Sequence, residues 1–157
     1  MIRRLHHAAY RCRDSEETRR FYEDFLGLAL VNAFEITETK TGRTSHVLHS
    51  FYAMADGACI AFFEVPGGTF DFKAQHDYDL HIAVEVARDA LPRMLDAGQR
   101  AGIETRGIAH HAGFDSIYLR DPNGYVVELT AKGDDHDAQL DPARARAALD
   151  TWQRAKR

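Results

Sequence analysis

At 157 residues, with 45% hydrophobic and 28% charged residues and a formal net charge of −4, the chain suits one compact domain, or two small modules sharing a core. That mild acidity argues against a nucleic-acid binder, which needs a basic face for the phosphates. No run approaches the roughly 18 apolar residues of a membrane helix, and the first fourteen residues lack the apolar core of a signal peptide, so a cytoplasmic protein with no membrane partner is expected. Cys12 and Cys59 have no CxxC partner and read as two buried, reduced thiols.

Leu5 to Cys12 reads as a strand in which alternation groups His7, Ala9 and Arg11 on one face. Asp14 or Ser15 then caps a helix with the apolar stripe Phe21, Tyr22, Phe25 and Leu26, stopped by Gly27. Three strands follow, Leu28 to Glu38, Ser45 to Ala55 and Ala58 to Val65, the last two joined by the hairpin signal Asp56-Gly57. Residues 67–77 form a polar linking loop. Leu80 to Val86 is again a strand, with His81, Ala83 and Glu85 on one face, and Asp89 to Ala101 is again a helix, with Pro92 in its first turn and Gly102 as its stop. Ile103 to Ala109, Ser116 to Arg120 and Tyr125 to Thr130 complete the set, with a loop over 107–114 and a tight turn at Asp121-Pro122-Asn123-Gly124. Beyond Lys132 an acidic turn leads to a last helix from Pro142, striped by Ala145, Ala148, Leu149 and Trp152.

The order repeats. His7 stands 20 residues before Gly27, and His81 stands 21 before Gly102, each in a strand that precedes a helix and three strands. The expected fold class is therefore α+β: two βαβββ modules, about 1–66 and 78–132, whose paired mixed sheets form a metal-binding cleft. The modules together make one domain over 1–132, and 133–157 is a C-terminal extension carrying the helix.

Three residues stand out chemically. His7 and His81 occupy equivalent positions, and Glu128 interrupts the apolar strand Tyr125-Val126-Val127-Glu128-Leu129-Thr130. A glutamate inside a strand is costly unless it is paired or bound to a cation. Two imidazoles and a carboxylate from three strands would make a facial triad with open positions for substrate and O₂.

The stretch Leu5-His6-His7-Ala8 with Asp14, Phe21-Tyr22 and Leu26-Gly27-Leu28 resembles the opening of vicinal oxygen chelate proteins. That superfamily includes glyoxalase I, extradiol dioxygenases, methylmalonyl-CoA epimerase and the fosfomycin- and bleomycin-resistance proteins. His81-Ile82-Ala83-Val84 resembles the opening of its second module. The segment from Phe114-Asp115-Ser116-Ile117-Tyr118 through Asp121-Pro122-Asn123-Gly124 to Glu128-Leu129 resembles the ending. The resemblance covers about residues 3–131 and implies one divalent metal on His7, His81 and Glu128.

The branch of the family is read from the remaining positions. Glyoxalase-like sites take a fourth ligand from the last strand of the first module, and the matching position here is Ala61; Glu64 lies on the opposite face. A three-ligand site favours Fe(II), or else Mn(II), and a bidentate oxygen substrate. The motif therefore stands nearest to single-domain extradiol dioxygenases, which cleave catechol-like diols with O₂. Tyr118, ten residues before Glu128, matches the spacing of the tyrosine that hydrogen-bonds the catecholate in those enzymes, and His110 or His111 matches their loop histidine. Those enzymes carry a base histidine on the strand 58–65, and this chain has none there; His49 is a candidate substitute, whereas His46 faces the other way. Arg11 is placed to bind a substrate carboxylate or phosphonate, or to make a cleft-edge salt bridge. The alternatives are a glyoxalase-like lyase, isomerase or thiol transferase with Ni(II), Zn(II) or Mn(II), and a metal-free resistance protein that sequesters a small molecule. A homodimer is expected.

Overall fold

The computed structural model describes residues 1–156. The chain divides into two compact units, Met1–Leu80 with Arg120–Val126, and His81–Leu119 with Val127 onward.

In the first unit, β1 (His7–Arg11), β2 (Ala29–Glu38), β3 (Thr44–Ala53) and β4 (Cys59–Glu64) form one sheet in the order β1-β4-β3-β2. β1 runs parallel to β4, and the other two pairings are antiparallel. Helix α1 (Ser15–Arg19) starts at Asp14, whose carboxylate accepts from Glu17 N at 2.8 Å. The predicted α-helix departs from α geometry after one turn, because Arg20–Phe25 winds as a π-helix before Gly27 closes the end with bonds to Glu23 and Tyr22 from Gly27 N and Leu28 N. This wider turn still buries Phe21 and Tyr22. Tyr22 packs on Phe62 and Tyr52, with ring centres 4.8 and 5.7 Å apart, so the core lies between α1 and the sheet face bearing Tyr52, Ile60 and Phe62.

The turn Asp121–Gly124 belongs to this unit rather than to the strands that it joins. Asn123 Oδ1 accepts from Arg13 N at 2.8 Å, its amide donates to Thr18 and Asp121, and Tyr22 Oη donates to Asp121 at 3.1 Å. Desolvation raises the Asp121 carboxyl above its ordinary range, opposed by the hydrogen bonds from Asn123, Tyr125 N and Tyr22.

The second unit holds β5 (His81–Glu85), α2 (Ala90–Arg100), β6 (Thr105–His111), β7 (Phe114–Arg120) and β8 (Val126–Lys132), the last two reaching one residue into the first unit. These strands form a sheet in the order β5-β8-β7-β6. Both sheets are thus four-stranded, as the repeat predicts. Ile82, Leu91, Ile117, Leu119, Val127 and Leu129 are its buried core. The strand expected to end at Ala109 runs on, and His110 and His111, expected in a loop, lie in it instead. They continue β6, because Ala109, His110 and His111 pair with Ser116, Asp115 and Phe114 across the two-residue turn 112–113, after an irregularity at Ile108. α3 (Pro142–Ala155) starts as expected at Pro142, capped by Asp141 on Ala143 N and Arg144 N, and buries none of its residues. Among the described residues no helix is long and apolar enough to cross a membrane.

Burial was expected of both thiols, but only Cys12 is buried, because Cys59 lies at the edge of its strand beside the Asp56-Gly57 turn. Cys12 is 1% exposed, and burial pushes its thiol up to about 11, whereas Cys59 is partly exposed. Because the thiolate is the reactive species, a disulfide reagent at pH 8 is expected to titrate one thiol per chain rapidly and the second only in denaturant. Two rapid equivalents would contradict this burial.

Candidate metal centre

On the first sheet, the face opposite α1 carries His7, Ala9 and Arg11 of β1, Ala61 and Phe63 of β4, and His49 and Phe51 of β3, as the strand register requires. His7 is exposed, and its Nδ1 lies 2.7 Å from Nδ1 of His6. With His7 as donor in that bond, its Nε2 keeps the lone pair that a metal ligand needs. Ala61 is fully buried on this same face, directly beside Ala9, so it contributes no donor. Glu64 points the other way and accepts from Ser15 N at 2.7 Å, so its carboxylate serves the start of α1.

His49 is buried on the His7 face. Its Nδ1 donates to Phe62 O at 3.0 Å, and its ring stacks on Phe63 with centres 3.8 Å apart. The His7 ring is 6.3 Å away, centre to centre. Fixing Nδ1 on a carbonyl leaves the lone pair on Nε2, the state in which an imidazole can take a proton. Arg11 lies in the adjoining row, and its Nε is buried without a hydrogen-bond partner. Such an orphaned donor is costly unless an acceptor arrives. His46 is exposed, 3.9 Å from Glu35.

On the second sheet, His81 and Glu128 come together: Nε2 and Oε2 are 3.2 Å apart, with the carboxylate buried. Two donors bonded at about 2.1 Å in adjacent positions on a divalent metal stand about 3 Å apart, so this spacing suits a shared ion. Ser116, which the sequence reading passed over, donates from Oγ to Glu128 Oε1 at 2.5 Å. The signal was present, since alternation within β7 puts Ser116 on the face of Tyr118, the residue that the resemblance links to Glu128.

The two neighbouring histidines separate. His111 follows the face of Tyr118, where its Nε2 is 3.1 Å from Tyr118 Oη and its ring stacks on Phe114. The Arg106 guanidinium lies over the Tyr118 ring, 4.3 Å from its centre. His110 alternates to the other face and bonds Asp115 at 2.8 Å, which also pairs with Arg88. His110 and Arg88 together hold the Asp115 carboxyl below its ordinary range. Among the described residues no group of three or more His, Cys, Asp or Glu side chains forms a cluster that could hold a metal ion. His7 lies on the first unit, and His81 with Glu128 on the second.

Residues 4–129 match the family model of the glyoxalase/bleomycin resistance protein/dioxygenase superfamily. The chain belongs to that superfamily. Its fold also resembles solved members. A variant of the fosfomycin resistance protein FosX from Listeria monocytogenes, complexed with Mn(II) and 1S,2S-dihydroxypropylphosphonic acid, is 22% identical with a TM-score of 0.66, covering 88% of this chain and 99% of that one. FosX from Mesorhizobium loti is 21% identical with a TM-score of 0.64, covering 89% and 100%. A glyoxalase/dioxygenase from Nostoc punctiforme is 20% identical with a TM-score of 0.63, covering 84% and 92%. No protein of curated function matches the sequence. At these identities the solved structures establish the fold.

Proposed function

We propose that His7, His81 and Glu128 hold one divalent metal, Fe(II) or Mn(II), and that the protein is an extradiol-type dioxygenase acting on a catechol-like diol. The observation that carries the metal reading is the 3.2 Å spacing of His81 Nε2 and Glu128 Oε2 beside a buried carboxylate. The equivalence of His7 and His81 in the sequence repeat supplies the third donor. Two features support the oxygenase branch. Ala61 leaves the His7 face without a fourth protein ligand, and Tyr118 with His111 lines the Glu128 face.

When bound, the metal would chelate both diol oxygens, acidify one hydroxyl and bring O₂ alongside. In this reading Tyr118 Oη hydrogen-bonds a diol oxygen. His111 Nε2, bonded to that phenol, can hold or return its proton, and the Arg106 guanidinium keeps the phenol ring in place. Position, not chemistry, keeps His110 out of this role, because it is engaged by Asp115 on the other face. O₂ is the co-substrate in this reading. The working form is a homodimer, for which Leu30, Val31, Phe34, Leu149 and Trp152 supply exposed apolar surface.

Protein purified without a nickel column and reconstituted anaerobically with Fe(II) is expected to consume O₂ and form a yellow ring-fission product with at least one member of a catechol panel. Metal-loaded protein that leaves O₂ untouched across the panel would remove the dioxygenase reading. A second reading, a metal-dependent lyase, isomerase or transferase, is favoured by His49 and Arg11, a buried imidazole and an orphaned guanidinium nitrogen on the His7 face. Thiol-dependent or hydrolytic turnover without O₂ uptake, abolished by His49→Phe, would establish it instead.

A further inference from the structure

The two oxygens of the Glu128 carboxylate have separate partners. Oε2 faces His81 Nε2, and Oε1 accepts the proton of Ser116 Oγ in a 2.5 Å bond. Ser116 is fully buried and Glu128 is 5% exposed, so water does not compete for either group. A hydroxyl bonded to a carboxylate in such surroundings makes a short, charge-assisted bond of about twice ordinary strength. The last torsion of a glutamate is broad and nearly two-fold, so the carboxylate orientation is set by what its oxygens touch.

We propose that Ser116 is a positioning residue that keeps Glu128 a one-oxygen ligand: its hydroxyl occupies Oε1 and leaves Oε2 alone to face the ion beside His81. The proposal rests on the metal reading above and deepens it. Carboxylates bind ions through one oxygen or through both. A Glu128 free to rotate would place both oxygens on the ion and fill a second position. A carboxylate held to one bond would leave open the position that its second oxygen would otherwise fill. In this proposal, the serine protects the vacancy on which the function depends, and it does so without touching substrate or metal.

The test uses Mn(II) as probe, with the full chain and no substrate. Water-proton relaxation counts the exchangeable waters on the bound ion, and the Ser116→Ala protein is expected to hold one fewer than wild type. Infrared difference spectra, Mn(II)-loaded minus metal-free, are expected to show the wide carboxylate splitting of one-oxygen binding in wild type and a narrowed splitting in Ser116→Ala. Equal water counts and equal spectra in the two proteins would overturn the role of Ser116 and leave the metal site standing. Should the variant not fold, the wild-type spectrum alone still decides, because a narrow splitting there overturns the proposal. Wild type that binds no Mn(II) would overturn the metal reading itself, and this inference with it.

Discussion

Gly124→Ala is expected to destabilise the protein by about 2–5 kcal/mol, well beyond what the same substitution costs at Gly27. Both glycines have positive φ, +94° and +80°, where a side chain costs about 1–2 kcal/mol. Around Gly27 an added Cβ meets nothing within 4 Å. At Gly124 it would stand 2.6 Å from Lys73 N and 2.8 Å from Lys73 C and O, which are backbone atoms. Lys73 is there because its N–H donates to Asn123 O at 2.8 Å, so relief of the clash breaks that bond or moves the turn. Moving the turn disturbs Asn123 and Asp121, which tie it to Arg13, Thr18 and Tyr22. Overpacking of this kind adds about 1–3 kcal/mol, a large share of an ordinary total of about 5–15. Urea unfolding midpoints of the two variants measure the difference. Equal midpoints would show that Lys73 does not press on the turn in solution.

That turn also marks what the sequence could and could not disclose. Asp121-Pro122-Asn123-Gly124 is recognisable as a tight turn from its residue types alone. Its attachment to α1, about a hundred residues earlier in the chain, has no local signature, since a buried Asn and an exposed one read alike. Local rules were enough where one element decides its own shape: Asp14 caps α1, Gly27 ends its π-helical continuation, and the chain reverses at Asp56-Gly57. They failed where two strands decide together. Gly113 beside His110 and His111 suggested a loop, but pairing with Phe114–Ser116 extends β6 through both histidines and sends them to opposite faces. At the candidate site, alternation grouped His81 with its neighbours and singled out Glu128 as an anomaly within an apolar strand. What the anomaly lacked was its partner. A serine in a strand is unremarkable until the opposing carboxylate is found 2.5 Å away.

Glu128→Gln gives the sharpest separation between a metal ligand and a structural carboxylate. The amide keeps the shape of the side chain, can accept from Ser116 through its oxygen, and can donate to His81 Nε2 through its nitrogen. Every buried polar atom stays satisfied while one buried charge is removed. Replacing a buried ionic group by a well-accommodated neutral one is often neutral or stabilising, so the metal-free variant is expected to unfold within about 1 kcal/mol of wild type or somewhat later. Metal binding behaves in the opposite way. Disturbing only the groups around a ligand typically costs about 10–100-fold in affinity, so loss of the ligand's own charge should cost at least about 100-fold. In wild type, Mn(II) at a hundred times its dissociation constant stabilises the fold by about 2.7 kcal/mol. In the variant that gain should fall below about 0.5 kcal/mol at the same concentration. Thermal unfolding of both proteins with and without Mn(II) reads all four quantities in one experiment. A variant that keeps the metal-induced shift would exclude Glu128 as a ligand. A variant destabilised equally with and without metal would make the carboxylate a partner of Ser116 and His81 alone, and His7 would then lose the company that makes it a ligand.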